Sequence, residues 1–588
     1  MNDRRFHRLF FLETGQMADN DSKKGMRQGL TNYGDQGFSL FLRKSFIKGL
    51  GYTDEDLEKP VIGIVNTYSD YNGCHGNIPD LIKFARSAVL AHGGLPLEFP
   101  TISLHESFSY PTSMYLRNLM AMDTEEMIRA QPMDACILIG GCDKTVPAQI
   151  MGALSAGLPF VQLVTGPMLT GSHRGTRVGA CTDCRRLWAQ FRAGDIDDLE
   201  IAEANNELVP TVGTCGVMGT ASTMALMTEA LGLMAPAGAC APAVTAARKR
   251  IATQTGRIAV EIAQSGLNPR AFLDDRSVHN ALATLLAVGG STNGIIHLTA
   301  MMGRMGLPVD LDMLDRLGRE IPVLVDLKPS GQGYMVDLHH AGGFPAIARE
   351  LGDSLYRDAM TVTGQSLGEN IDAHLRDYPQ DIIRNRLKPI HSGGSIAVLS
   401  GNLAPEGAII KQSAASPELL VHEGRAVVFK GLEDLATRLD DPDLDVKADD
   451  ILVLQNIGPR GAPGMPEAGL IPIPKKIAQT GVKDMVRISD GRMSGTASGT
   501  IVLHVDPESA VGGPLALVQN GDRIKLDVPQ RRLDLLISDT ELEERRKSFV
   551  PPKFDMERGY AKLFHEHITQ ASQGVDFDFM KPKEEPGR

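Results

Sequence analysis

The stretch 135–147 constrains the fold more than any other part of this chain. It begins with an apolar run that predicts a buried strand. Two glycines end the run, Cys142, Asp143 and Lys144 follow in consecutive positions, and Pro147 suits the first turn of a helix. A strand, a glycine turn and a helix start predict that these three side chains lie at the carboxyl end of a strand, where open α/β sheets bind ligands. The alternative is a tight turn that carries polar residues by chance.

Length and composition bound the kinds of protein that this chain can be. A chain of 588 residues is too long for one ordinary core and predicts two or more domains. Its 42% apolar and 22% charged residues are typical of a soluble globular protein. The net charge of −12 argues against nucleic acid and an anionic membrane as partners, and no apolar run reaches the roughly 18 residues of a membrane span. We therefore expect a small-molecule substrate.

The cysteines point to a cofactor rather than to disulfides. Seven cysteines in so large a chain do not suggest a disulfide framework, so we expect a reducing cytoplasm and thiols that are free to bind a metal or cluster. Cys74, Cys142 and Cys215 each lie in a glycine-flanked turn. If the fold brings these turns together, three thiolates would hold an iron–sulfur cluster and leave one iron position open as a Lewis acid. Electron-transfer clusters usually have four cysteines.

A second cysteine pattern is set aside. Cys181 and Cys184 have the spacing of a zinc knuckle or a redox pair. No second pair with matching spacing exists, and Arg185 and Arg186 follow directly. We therefore predict no functional role for this pair.

The order of predicted elements divides the chain into four parts. Residues 1–58 predict a polar N-terminal arm, and 59–384 alternates strands with helices, which predicts an α/β domain whose parallel sheet has helices on both faces. Short strands dominate from 385 to 572 and predict a barrel-like β domain, in which the Asn-Gly dipeptide at 520–521 predicts a hairpin. The composition of 573–588, rich in charge and proline near its end, predicts a disordered tail.

Carboxylates and hydroxyls supply the other candidate groups. Glu106, Asp143 and Glu467 carry the hard oxygen ligands that Mg²⁺ prefers, and the Gly/Pro-rich loop of Glu467 is of a kind that positions one side chain against a partner domain. Taken alone, Glu106 and Glu467 would be solvated surface charges. Ser494 and Thr496 follow a predicted strand and a glycine turn, and the alternative for them is local bonding to the backbone.

Four ordered blocks together carry a resemblance to a known family. They are the loop 66–77 with Cys74, the turn 141–144, the segment 213–221 and the turn 490–495. In combination they resemble the dihydroxy-acid and sugar-acid dehydratases, over nearly the whole chain. Because several blocks match in order, this signal is far more specific than a single motif.

The resemblance implies a fold, a reaction and two cofactors. Family members join an α/β amino-terminal domain to a β-barrel carboxy-terminal domain, form homodimers or homotetramers, and dehydrate a 2,3-dihydroxy acid to a 2-keto-3-deoxy acid. The implied cofactors are an iron–sulfur cluster, [2Fe–2S] or alternatively [4Fe–4S], and Mg²⁺. The residues that match the family's positions are Cys74, Cys142 and Cys215 for the cluster, Glu106, Asp143, Glu467 and a carbamylated Lys144 for Mg²⁺, and Ser494 as the base. Thr496, two residues after Ser494, is a second catalytic candidate.

Two positions favour one branch of the family. Thr496 after the Ser-Gly of the last block, and His105-Glu106, look like the branch that acts on pentonates and hexonates such as L-arabinonate and D-gluconate. A phosphogluconate dehydratase is less favoured because no arginine cluster for a phosphate is evident. The alternative is a dihydroxy-acid dehydratase of branched-chain amino-acid biosynthesis. An alternative of another class is an iron–sulfur sensor without turnover, which would need exposed, low-pKa thiols and a switching surface.

Overall fold

The computed structural model describes residues 24–582, so the first part of the predicted arm and the end of the predicted tail lie outside the described residues. Within this range the chain forms an α/β part and a closed β-barrel, as predicted. The described part of the arm carries one α-helix, α1 (Gln36–Gly49), whose first turn is capped by the Asp35 carboxylate.

A parallel four-stranded sheet is the centre of the α/β part, in the order β2-β1-β3-β4. Helices of the α/β part pack on the sheet, and a small two-stranded hairpin, β5 and β6, packs on one of the later helices. The strands are β1 (Val61–Asn66), β2 (Leu95–Pro100), β3 (Ala135–Gly140), β4 (Phe160–Val164), β5 (Gly171–His173) and β6 (Thr176–Val178). The helices after α1 are α2 (Ile78–Ala91), α3 (Ser113–Ala130), α4 (Thr145–Ala156), α5 (Thr182–Ala193), α6 (Asp198–Glu207), α7 (Thr220–Ala230), α8 (Ala246–Ser265), α9 (Pro269–Phe272), α10 (Asp275–Ala287), α11 (Asn293–Gly303), α12 (Leu311–Glu320), α13 (Met335–His340), α14 (Gly343–Leu351) and α15 (Leu367–His374).

Both faces of the sheet are covered, which confirms the predicted fold class. Because side chains alternate along a strand, Ile62 and Ile64 of β1 join a core with α2 and α8, whereas Val61 and Val65 join the opposite core with α3 and α4. The central strand β3 is buried along its whole length. All four strands end at the same edge, so the turns that follow them meet there.

The second part is a closed barrel with the strand order β10-β11-β12-β8-β7-β14-β13-β9. Strands β9, β10, β11 and β12 are parallel neighbours, so the loops after β10 and β11 leave the barrel at one end. These two loops carry Glu467 and Ser494. The elements are β7 (Ala397–Gly401), β8 (Ala404–Ile410), β9 (Val421–Phe429), α16 (Leu432–Arg438), β10 (Ile451–Leu454), α17 (Lys475–Ala478), β11 (Arg487–Ser489), β12 (Ile501–Asp506), β13 (Arg523–Asp527), β14 (Arg532–Leu535), α18 (Asp539–Ser548) and α19 (Gly559–His567).

The hairpin predicted at Asn520-Gly521 is wrong. The residues before it form a short 3₁₀ turn, Pro514–Leu517, and β13 pairs instead with β9 and β14. The side-chain amide of Gln455 donates to the carbonyls of Leu515 and Val518, and the Asn520 side chain accepts from the Val428 N–H at 2.7 Å. Because side chains satisfy these backbone groups, the apolar segment needs no strand partner.

The predicted disorder of the tail is also wrong for its described part, 573–582. Phe577 and Asp576 are fully buried. The Arg304 guanidinium binds the Asp576 carboxylate through two hydrogen bonds of 2.6 and 2.9 Å, and both side chains are completely buried. Arg117 donates to the carbonyl of Val575 at 2.6 Å. Two buried arginines therefore hold a segment whose composition alone suggested disorder.

Candidate active site

Two of the predicted cluster cysteines meet at the carboxyl edge of the sheet. Cys74 lies in a 3₁₀ turn after β1 and Cys142 in the turn after β3, and both thiols are buried. With His105, from the loop after β2, they form a group whose ligand atoms all lie within 4.8 Å of one another. Gly141 is required in the second turn, because a Cβ there would collide with the Thr165 hydroxyl.

Cys215 reaches the same pocket through a backbone link to the end of β4. The Thr214 N–H donates to the carbonyl of Gly166 at 2.9 Å, and the Thr214 carbonyl accepts from the Met168 N–H at 2.8 Å. The hydrogen bond with the Cys181 thiol raises the pKa of Cys215 most, and burial raises it further. The charges of Asp143 and Cys142 act in the same direction. Cys215 therefore lies near the thiols of Cys74 and Cys142, although its Sγ is not part of the group of ligand atoms within 4.8 Å of one another.

A fourth cysteine, which the sequence analysis set aside, lies in this pocket as well. The Sγ atoms of Cys181 and Cys215 are 3.2 Å apart. Hydrogen bonds with the thiols of Cys184 and Cys215 lower the pKa of Cys181 well below its usual value. A lone Cys-x-x-Cys spacing did not contain this information, because the contact joins residues in different segments.

His75, which sequence reasoning missed, holds the Cys142 turn in place. Its Nε2 accepts the backbone N–H groups of Gly141 and Cys142, each at 3.0 Å, while Nδ1 faces the Thr67 carbonyl at 2.7 Å. Burial lowers the pKa of His75 to about 4, which keeps the ring neutral and leaves Nε2 free to accept. Its position directly after Cys74 was the only signal for this role in the sequence.

The three predicted metal-binding carboxylates also converge. Carboxylate oxygens of Glu106, Asp143 and Glu467 lie within 4.8 Å of one another. The Nζ of Lys144, which is fully buried, lies 2.5 Å from Asp143, 3.1 Å from Glu106 and 3.7 Å from Glu467. Asp143 joins this set to the cysteines, since its Oδ1 is 3.6 Å from the Sγ of Cys142.

Arg492 is a second cation beside this set of carboxylates and was not predicted. Its guanidinium, 1% exposed, contacts Glu467 at 2.5 Å and Glu106 at 3.1 Å. Burial alone would lower the pKa of Lys144, and Arg492 lowers it further, but the neighbouring carboxylates outweigh both and raise it. Burial raises the pKa of Glu467. Three carboxylates against two fixed cations leave this pocket with room for further positive charge, as a divalent-ion site requires.

Ser494 and Thr496 line the barrel side of the pocket. Their hydroxyl oxygens are 2.8 Å apart, and the Thr496 N–H donates to the Ser494 Oγ at 3.4 Å. A Cβ at Gly219 would meet the Thr496 methyl at 2.9 Å and the Cys215 Cβ at 3.9 Å, so the hydroxyl pair and the thiols border the same glycine. Predicted site residues of both parts of the chain therefore lie next to one another.

Two more basic residues approach this hydroxyl pair. The Arg185 Nε donates to the Thr496 Oγ1 at 3.4 Å, and the buried Lys411 Nζ donates to the Gly495 carbonyl at 3.3 Å. Burial lowers the pKa of Lys411 to about 7. Arg185 follows the cysteine pattern that was set aside, and nothing in the sequence singles out Lys411.

Comparison with known proteins matches both parts of this architecture. The N-terminal domain model of the dihydroxy-acid/6-phosphogluconate dehydratases matches residues 59–370, and the C-terminal domain model matches residues 381–575. The chain belongs to this dehydratase family. It is accordingly a hydro-lyase, and the alternative of a sensor without turnover is not supported.

Individual relatives in this family cover almost the whole chain. An L-arabinonate dehydratase of Rhizobium leguminosarum bv. trifolii (strain WSM2304) is 45% identical over 93% of this chain and 95% of its own length. A 6-deoxy-6-sulfo-D-gluconate dehydratase of Pseudomonas putida is 43% identical over 92% and 94%. A dihydroxy-acid dehydratase of Nitratidesulfovibrio vulgaris (strain DP4) is 38% identical over 90% of this chain and 97% of its own length.

Among residues 24–582, no helix combines the length and apolarity that crossing a membrane requires.

Proposed function

We propose that this dehydratase converts a sugar acid, a pentonate or hexonate such as L-arabinonate or D-gluconate, to a 2-keto-3-deoxy acid. The observation that carries the proposal is the pair of hydroxyls on Ser494 and Thr496, which borders the thiol pocket next to three carboxylates. A polyhydroxylated substrate matches this polar lining, because each buried polar group left unpaired costs about 1–3 kcal/mol. Identity is also higher to the L-arabinonate and sulfogluconate dehydratases than to the dihydroxy-acid dehydratase.

The thiols and the carboxylates fit the two cofactors that the family resemblance implies. Cys74, Cys142 and Cys215 would hold the iron–sulfur cluster, with [2Fe–2S] favoured over [4Fe–4S]. Glu106, Asp143, Glu467 and a carbamylated Lys144 would hold Mg²⁺. Carbamylation would replace the ammonium by an oxygen ligand at a position that already touches all three carboxylates. When bound, the two cofactors supply Lewis acidity to the hydroxyl that departs from C3 and to the substrate carboxylate.

Ser494 is proposed as the base that removes the C2 proton. The Thr496 hydroxyl, 2.8 Å away, and the Thr496 N–H both have geometry to donate to the Ser494 Oγ, and such donors stabilise a deprotonated oxygen. The proton from C2 moves to this oxygen, the C2–H electron pair forms the C2=C3 double bond, and the C3–O bond breaks. The departing hydroxide takes the proton from the Ser494 Oγ to leave as water, and the resulting enol becomes the 2-keto acid. Thr496 therefore acts through Ser494 and as a polar contact for the substrate.

The test is Ser494→Ala in protein whose iron, sulfide and Mg²⁺ contents are unchanged. Formation of 2-keto acid from L-arabinonate and D-gluconate should fall by orders of magnitude, and the exchange of C2 deuterium with solvent should vanish with it. The exposed Ser498, four residues along the same loop, provides the matched control variant Ser498→Ala, which should keep wild-type turnover. Near-normal turnover of Ser494→Ala would exclude Ser494 as the base.

The same assay tests the remaining alternative for the substrate. A clear preference for 2,3-dihydroxyisovalerate over the sugar acids would favour the branched-chain alternative. Homodimers or homotetramers and a cytoplasmic location stay predictions, and the oligomeric state follows from light scattering on the active protein.

A further inference from the structure

The sulfur atoms around the pocket form two pairs. Cys74 and Cys142 belong to the group whose ligand atoms all lie within 4.8 Å of one another, and Cys215 does not belong to it. The Sγ of Cys215 instead lies 3.2 Å from the Sγ of Cys181, which comes from another segment. Three of these four thiols are the ones proposed for the cluster, so Cys181 occupies the place of a fourth.

The position of Cys181 is fixed by the residues on both sides of it. Cys181 directly precedes α5. The Ala180 N–H donates to a carbonyl at the end of α6 at 2.9 Å, and the Thr182 hydroxyl donates to the Thr496 carbonyl at 3.0 Å. These two hydrogen bonds, one to the α/β part and one to the barrel, hold the thiol beside Cys215 without the help of a cofactor.

Cys184, the other member of the Cys-x-x-Cys spacing, has different surroundings. Its side chain packs against a separate apolar cluster formed by β6, α5 and α6, whose buried members are Val178, Leu187, Ala204 and Leu208. The two cysteines of the spacing therefore differ: Cys181 contacts a proposed cluster ligand, and Cys184 contacts the core.

The two pairs match the ligand pattern of a four-thiolate [2Fe–2S] cluster. Such a cluster carries two thiolates on each iron, whereas in a [4Fe–4S] cluster each thiolate binds a different iron. Two thiolates on one tetrahedral metal with sulfur bonds of about 2.3 Å lie about 3.8 Å apart. A small side-chain shift from the 3.2 Å contact between Cys181 and Cys215 reaches this separation, and Cys74 and Cys142 are close enough to share the other iron.

We propose that Cys181 is a fourth ligand of the iron–sulfur cluster in this chain, on the same iron as Cys215, with Cys74 and Cys142 on the other iron. The inference rests on the proposed cluster and adds a ligand that the three cysteine positions of the family do not include. The coordination of both irons is then complete in the resting protein, and a substrate hydroxyl has to compete with the Cys181 thiolate for its iron.

The experiment is Mössbauer spectroscopy of the wild type, Cys181→Ser and Cys184→Ser, loaded with the Mössbauer isotope of iron without oxygen and matched in iron and sulfide content. In the wild type, both irons should have the parameters of tetrahedral sulfur coordination. In Cys181→Ser, one iron should keep them, and the other should have a higher isomer shift because oxygen replaces one sulfur. Cys184→Ser is the matched control and should reproduce the wild-type spectrum, since its thiol packs against the core.

The rate at which the cluster loses its visible absorption in air provides a second measurement. Cys181→Ser should bleach several-fold faster than the wild type, because an iron without its fourth thiolate is accessible to dioxygen, and Cys184→Ser should bleach at the wild-type rate. Equal rates in all three proteins would contradict a complete coordination in the wild type.

The remaining outcomes separate this inference from the proposed function. An unchanged Mössbauer spectrum in Cys181→Ser, or a wild type in which one iron already lacks a full set of sulfur ligands, would overturn the fourth ligand and leave the three-cysteine cluster and the dehydration intact. If Cys181→Ser cannot be loaded, the wild-type spectrum alone decides between four thiolates and three. A wild type that takes up no iron and sulfide would count against both proposals.

Discussion

The Sγ of Cys181 lies 3.2 Å from the Sγ of Cys215, although 33 residues separate the two in sequence and only Cys215 matches a cluster position of the family. A disulfide has an S–S distance of about 2.0 Å, so a side-chain shift on the order of 1 Å would join the two sulfurs. The lowered pKa of Cys181 provides the thiolate that such a reaction needs.

We predict that cluster-free protein treated with diamide forms the Cys181–Cys215 disulfide. The two thiols lose two protons and two electrons, and the azo group of diamide is reduced to the hydrazine. Peptide mapping by mass spectrometry should find the two cysteines in one linked peptide. Cys181→Ser should abolish the link and Cys184→Ser should keep it. Cluster-loaded protein should resist, because Cys215 would be occupied as a ligand. A dominant Cys181–Cys184 link would contradict the prediction.

The buried Lys411 predicts a pH dependence of stability. Its pKa is about 7 in the folded protein, below the ordinary value of 10.5, because burial disfavours the ammonium. Between these values the unfolded chain binds more protons, so the contribution of Lys411 to stability rises as pH rises from 7 toward 10.5, by up to about 1.4 kcal/mol per pH unit. Below pH 7 the full penalty is present.

Lys411→Met should remove this dependence. Thermal denaturation should show the largest gain in unfolding midpoint of the variant over the wild type at pH 7. This difference should shrink steadily as the pH is raised to 10. The exposed Lys388 provides the control Lys388→Met, whose difference from the wild type should not vary with pH. A constant difference for Lys411→Met as well would show that the lysine keeps its proton throughout.

The buried Arg304–Asp576 pair, which holds the C-terminal segment in place, predicts a large loss of stability in Asp576→Asn. The Arg304–Asp576 pair is fully buried, and the loss of the Asp576 charge leaves Arg304 with the more distant Glu125 carboxylate, at 3.6 Å, as its remaining partner. Breaking a buried ion pair of this kind costs about 3–5 kcal/mol. Urea denaturation should show this loss. Asp377→Asn is the control, because Asp377 is 87% exposed in its pair with Arg349 and should cost no more than about 1 kcal/mol. Equally small losses in the free energy of unfolding of the two variants would show that the Arg304–Asp576 pair does not stabilise this segment.

The parts of the site that sequence reasoning found share one physical basis. Cys74 and Cys142 follow buried strands of a parallel sheet, and the carboxyl ends of such strands meet by geometry, so a local pattern was enough to place them together. Cys215, Glu467 and Ser494 were candidates from their glycine-rich turns and loops, but only the family resemblance implied their roles in one site, because their positions depend on connections that no periodicity reveals. The barrel was likewise foreseeable from its short strands, but its strand order was not.

What the sequence did not reveal are the residues that act across the tertiary structure. Arg492 and His75 each satisfy groups contributed by other segments, and such partners have no signature at their own position. Asp576 sits in a stretch whose composition suggests disorder, and only its burial against Arg304 shows otherwise. Cys181 was set aside because its spacing to Cys184 was compared with local motifs, whereas its decisive contact is with Cys215.

The division of the pocket between the two parts of the chain has a consequence for protein engineering. The thiols, Asp143, Lys144 and Arg185 come from the α/β part, while Glu467, Arg492, Ser494 and Thr496 come from loops of the barrel. A chimera with the barrel of a relative would exchange the proposed base and part of the proposed ion site while retaining the thiols and Arg185. The proposed proton transfer and the proposed sulfur ligation would then come from different parents, so barrel exchange would vary the first while leaving the second unchanged.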